Sequence, residues 1–212
     1  MRTDELIDML ARGAGAAPRA PVARRVLVAS VGGLSVSVLL AASLMGTLPG
    51  SAFLTPVPWI KLGYTGALAV AAGWLAARAA VPVARVRRPR QAVHAIVLAM
   101  AALGAVVLLL GTAPGERIDA LMGRTWLYCP WSVLGLSLPA LALSFWAVRG
   151  LAPTRLRTAG LAAGLWAGAL GAFGYSLSCP EPSPAFVAVW YTLGIALTGL
   201  IGAALGPRLL RW

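Results

Sequence analysis

Chemistry that needs histidine, paired carboxylates or a cluster of cysteines has almost nothing to draw on here: the chain holds one histidine, two cysteines and six acidic residues among 212. Charge as a whole is scarce, at 11% of residues against 59% hydrophobic, and the mean hydropathy is +0.83. Soluble domains are about half apolar and about a quarter charged, so this balance excludes an ordinary soluble fold. The two cysteines, Cys129 and Cys179, are far apart in sequence, which removes the CxxC pair of thioredoxin-like oxidoreductases. Glu116 and Asp119 form an isolated acidic pair without a histidine or nucleophile beside them, and read as solvated loop charges.

What is abundant is apolar sequence in long runs. A helix needs about 20 apolar residues to cross about 30 Å of hydrocarbon. Six windows qualify, over residues 26–48, 59–80, 92–111, 130–148, 158–178 and 183–205. Five carry no formal charge, while the second has Lys61 and Arg78 near its ends, where long stems are expected to snorkel to the headgroups. The first window is too long, and its leader too acidic, for a secretory signal. The expected fold is therefore an all-α membrane protein, a bundle of six transmembrane helices partnered by the lipid bilayer. It divides into a tail at 1–24, a bundle at 25–206 and a short C-terminus at 207–212.

Orientation follows from the basic residues. Fifteen of the 18 Lys and Arg residues fall on one side, among them Arg2, Arg12, Arg19, Arg24 and Arg25 of the tail and the run "ARVRRPR" at 84–90. The other side has Lys61, Arg117 and Arg124. By the positive-inside rule both termini are expected in the cytoplasm. The basic run then reads as an orientation signal at the lipid surface, with no direct nucleic-acid contact, and His94 takes an interfacial place at the cytoplasmic end of the third window.

That topology puts Cys129, at the start of the fourth window, and Cys179, at the end of the fifth, at one extracytoplasmic depth. Each precedes a proline, and Trp59, Tyr64, Trp126, Tyr128 and Trp131 crowd the same level as an aromatic belt. Inert packing, a disulfide, a redox pair and capture of a soft metal ion by the two thiols, with Glu181 as a nearby oxygen donor, all stay open. The opening "MRTDELIDML" has a different character. Thr3 suits an N-cap, Asp4 and Glu5 suit the positive end of the helix dipole, and Leu6, Ile7 and Leu10 share a face. The acids disfavour an anionic lipid surface, so a protein partner is expected for this helix. The following "GAGAAPRAP" reads as a flexible tether. Gly160, Gly164 and Gly168, four residues apart, offer a close-packing stripe.

With these pieces in order, the chain resembles the NrsF-type negative regulators of a bacterial extracytoplasmic-function sigma factor, sigma F. The resemblance rests on "TDELIDMLA", "CPWSVLGLSLPAL", "CPEPSPAFVAVWYTLG" and "GPRLLRW", and spans nearly the whole chain. It implies an inner-membrane anti-sigma factor that is not an enzyme and has no cofactor. Its N-terminal Thr3, Asp4, Glu5, Leu6, Ile7 and Leu10 would hold the sigma factor, and Cys129 and Cys179 would sense an oxidant or a heavy-metal ion. Many members carry a histidine before the second cysteine, where this chain has Ser178; that departure favours thiol oxidation over metal ligation. The rival readings are a membrane thiol oxidoreductase, which needs a second thiol pair or a quinone site, and a small transporter, which needs ionisable or broken elements at the midplane.

Overall fold

The computed structural model describes residues 3–13, 21–82 and 84–211. Most of the expected tether, together with Arg2 and Arg19, lies outside these residues. Among the described residues every regular element is helical. The amphipathic α1 covers Thr3–Gly13, and the long helices are α2 (Pro21–Met45), α3 (Pro56–Ala79) and α4 (Arg87–Leu110). A short α5 (Arg117–Met122) precedes α6 (Cys129–Arg149), α7 (Leu156–Ser176) and α8 (Pro184–Leu209). Prolines stand in the first turns of α3, α6 and α8, where a missing N–H costs no intrahelical bond. α8 contains one π-helical turn, Val187–Tyr191.

Five helices, α2, α3, α4, α6 and α8, are long and apolar enough to cross a membrane. The fifth expected span, α7, is not among them; it matches α6 in length at 21 residues and is rich in glycine and alanine. Its place in the bundle explains that composition. α7 packs against α2, α3, α6 and α8, and most of its residues are buried. A helix packed on four neighbours needs small residues, which let the adjoining backbones approach closely. A Cβ at Gly174 would lie 2.8 Å from the Ser37 carbonyl oxygen of α2, and one at Gly171 would strike Ser137 of α6.

The expected Gly160, Gly164 and Gly168 stripe is the α7–α8 seam. A Cβ on Gly160 would collide with the Gly202 carbonyl oxygen, and one on Gly164 with that of Thr198. Both obstacles are backbone, so neither can rotate away. Gly164→Val is expected to cost about 1–3 kcal/mol through overpacking, read as a lower melting temperature in detergent, whereas the same change at Gly63, which has nothing within 4 Å, should cost little.

Cross-bundle contacts give an up-and-down arrangement. Leu48 N–H, after α2, donates to Leu177 O, after α7, at 2.8 Å, and Trp190 Nε1 of early α8 donates to Leu121 O of α5 at 3.0 Å. At the far end Arg25 of early α2 meets Trp146 of late α6. One end thus gathers the two cysteines, and the other gathers the start of α2, the end of α6 and the end of α8.

Candidate functional site

Cys129 is the first residue of α6, and its N–H donates to Thr125 O at 2.8 Å; Cys179 lies just beyond α7, with its N–H on Tyr175 O at 3.0 Å. Both are free thiols and almost fully buried, at 0% and 1% exposure. Lys61 Nζ reaches the Cys179 carbonyl oxygen, and Glu181, two residues after Cys179, bonds to Thr125, four residues before Cys129. The two positions that the sequence places at one depth therefore form one cluster.

Lys61 overturns one expectation. Its side chain does not snorkel: it is 1% exposed, and Nζ donates to the Cys179 carbonyl oxygen at 2.8 Å. The reason is the face it occupies on α3, shared with buried Pro58, Tyr64, Thr65 and Leu68. Thr65 Oγ1 donates to Lys61 O at 2.8 Å, and the Tyr64 hydroxyl pairs with Thr192 Oγ1 at 2.7 Å. Polar groups at i, i+3 and i+4 turn together toward the bundle, where partners exist. Tyr64 is accordingly not part of the aromatic belt, and Trp126 packs on Trp190 with ring centroids 5.3 Å apart. Trp59, Tyr128 and Trp131 stay exposed, as a belt requires.

Glu181 closes the cluster from above. At 6% exposure, its Oε1 accepts from Arg124 N (2.8 Å), Thr125 N (2.9 Å) and Thr125 Oγ1 (2.9 Å). This carboxylate ties the segment after Cys179 to the residues just before Cys129. Gly123 turns the chain there with φ +60°, and a Cβ would lie 2.6 Å from Glu181 Oε2. The carboxylate is thus committed to backbone amides rather than offered as a third ligand, and no group of three or more His, Cys, Asp or Glu among the described residues is placed to hold a metal ion. Tyr191 is fully buried and packs on Tyr175 with ring centroids 5.5 Å apart.

Charge-assisted bonds contribute about 1.5–3 kcal/mol each, so Glu181→Gln is expected to loosen this cover. The measurement is hydrogen exchange at the Arg124 and Thr125 amides together with maleimide labelling of the thiols. Both should accelerate about tenfold or more while the bundle amides keep their protection.

At the other extreme of the chain, α1 starts at Thr3 itself, so Thr3 is the first helical residue, and the residue before it lies outside the described ones. Asp4 and Glu5 fall in the first turn as expected. Leu6, Ile7, Met9 and Leu10 are all exposed, Leu10 at 66%. Lys61, Tyr175 and Tyr191 are the site neighbours that sequence reasoning missed as such, and the spacing of Lys61, Tyr64 and Thr65 was the available signal; Glu181 was expected beside the thiols as an oxygen donor, and its Oε1 accepts from the turn before Cys129.

A bundle of apolar antiparallel helices, five of them long and apolar enough to cross a membrane, with an exposed amphipathic helix at its N-terminus and a covered pair of thiols at one end, is the class of fold that the described residues define. The chain belongs to the NrsF family, described as a negative regulator of sigma F, which matches residues 10–212. This is a family of regulators rather than of catalysts. The chain is 40% identical to the anti-sigma-F factor NrsF of Caulobacter vibrioides over 222 residues, covering 100% of both chains. It is 38% identical to a probable anti-sigma-F factor NrsF of Azospira oryzae over 214 residues, again covering 100% of both. No solved structure matches the chain.

Proposed function

We propose that this protein is an inner-membrane anti-sigma factor that sequesters an extracytoplasmic-function sigma factor through α1 and releases it when Cys129 and Cys179 react outside the membrane. α7 is then the sixth span: it has the length of α6 and packs against four of the other five. Both termini are cytoplasmic, as the basic residues require. The observation that carries the reading is α1, an acid-tipped helix whose apolar residues are exposed in a chain otherwise packed as a bundle.

The thiols supply the signal. An external oxidant takes two electrons and both thiol protons leave as a disulfide forms, or a soft cation displaces the protons and binds both sulfurs. Lys61, bonded to the Cys179 backbone, and Glu181, bonded to the Cys129 side, pass a change at either sulfur to α3 and α6. Moving a partner from 99% held to 99% free takes about 5.5 kcal/mol of differential affinity, which is within reach of disulfide or metal–thiolate chemistry.

The test is co-purification of the sigma factor with the full chain from host membranes, with and without residues 1–13. Recovery by the full chain alone supports sequestration through α1. Recovery by both moves the docking site to the bundle, and recovery by neither overturns the reading.

A further inference from the structure

At the end of the bundle remote from the thiols, α2, α6 and α8 bound an open groove of about 730 Å³. Leu138, Leu141, Leu205 and Leu209 line its length, and Arg25 and Arg149 stand at its mouth. No carboxylate is among the described residues that line it. Arg25 is held in place: its guanidinium lies 5.2 Å from the Trp146 ring centroid, and Nη1 donates to Trp146 O at 3.4 Å. Gly150 leaves the room, since a Cβ there would collide with the guanidinium. A cation stacked on an indole face is pre-oriented, and one such contact leaves most of its N–H donors available.

We propose that this groove binds an anionic phospholipid, with the phosphate between Arg25 and Arg149 and an acyl chain along the leucines. Leu138 and Arg149 are eleven residues apart on α6, about 16 Å along the axis at 1.5 Å per residue. That is about half of a hydrocarbon core of about 30 Å, the depth of one leaflet. Guanidinium pairs match phosphate oxygens in bidentate geometry, and basic pockets between spans on the cytoplasmic side select lipid headgroups. α1 has complementary charge, but seating Asp4, Glu5 and Asp8 at hydrocarbon depth would bury carboxylates that pair poorly there. The assignment rests on the membrane reading and is independent of the sigma-factor reading.

The experiment titrates the purified full chain in detergent with phosphatidylglycerol, with phosphatidylcholine of the same acyl chains and with inorganic phosphate, reading retained lipid by native mass spectrometry and the melting temperature. Phosphatidylglycerol alone should be retained and stabilising. Arg25→Gln with Arg149→Gln should weaken it about thirtyfold, given roughly 1 kcal/mol for each of two surface cations and about 1.4 kcal/mol per tenfold. Ala142→Trp, an exposed position on the groove wall, fills the groove with the charges intact and should cause a similar loss without unfolding the bundle. Equal binding of both lipids, stabilisation by phosphate alone, or an unaffected Ala142→Trp variant would overturn the proposal. So would lipid binding that appears only after residues 1–13 are removed, because α1 would then be the occupant.

Discussion

Replacing Leu6 and Ile7 with aspartate will release the sigma factor and leave its regulon switched on without any stress. Fully burying a leucine or isoleucine side chain contributes about 1.5–3 kcal/mol, so losing two anchors removes roughly 3–6 kcal/mol. That weakens binding at least about a hundredfold, at 1.4 kcal/mol per tenfold. Both side chains are exposed in α1, at 42% and 58%, so the change has no packed core of its own to disturb. The measurement is the sigma-factor affinity of the full chain together with a reporter of the target promoters. Wild-type affinity in the double variant would remove α1 from the interface, whereas a matching loss with Asp4→Asn and Glu5→Gln would show that charge contributes beside the apolar face.

α1 and the thiol cluster were legible in the sequence to different degrees, for physical reasons. α1 was readable because its signals are local: two acids at the helix start, and apolar residues on one face. The long helices were readable because length and apolarity alone define a membrane-crossing segment, and the α7–α8 seam because glycines four apart are a packing signature. Which face of a uniformly apolar helix points inward was much less readable. α3 carries little asymmetry in hydropathy, so Lys61 near its start looked like an interfacial cation. Only the three-dimensional coincidence of Lys61 with the Cys179 carbonyl shows where it goes.

The cover over the thiols was hidden for a related reason. Glu181 and Gly123 are 58 positions apart, and neither makes sense until the chain returns: the glycine keeps a Cβ out of the carboxylate, and the carboxylate satisfies two amides of the turn. The π-helical turn at Val187–Tyr191, which places Tyr191 against Tyr175, likewise has no local sequence mark. The residues around the thiols are set by long-range contacts, and the thiols alone are announced by their chemistry.

Converting both Cys129 and Cys179 to alanine will abolish the stress response while the bundle and the hold on the sigma factor persist. Each thiol is buried in the core and behaves there as a small apolar group, so its removal should cost only about 1 kcal/mol. The melting temperature should therefore change modestly, and sigma-factor binding at rest not at all. Induction, in contrast, should fall to the unstressed level, because no bond or coordination remains to supply the roughly 5.5 kcal/mol that release requires. The single variants carry the mechanism further. A disulfide or a two-thiolate metal site needs both sulfurs, so each single change should be as silent as the double one; a one-thiol sulfenic-acid switch would leave one single variant responsive. Burial sets the rate: resting thiols under Glu181 should resist a membrane-impermeant maleimide, and Glu181→Gln should raise both labelling and the sensitivity of induction. A normal response in the double alanine variant would refute the sensor role outright, and an unchanged labelling rate in Glu181→Gln would move the barrier from that carboxylate to the packing of Tyr175 and Tyr191 around the cluster.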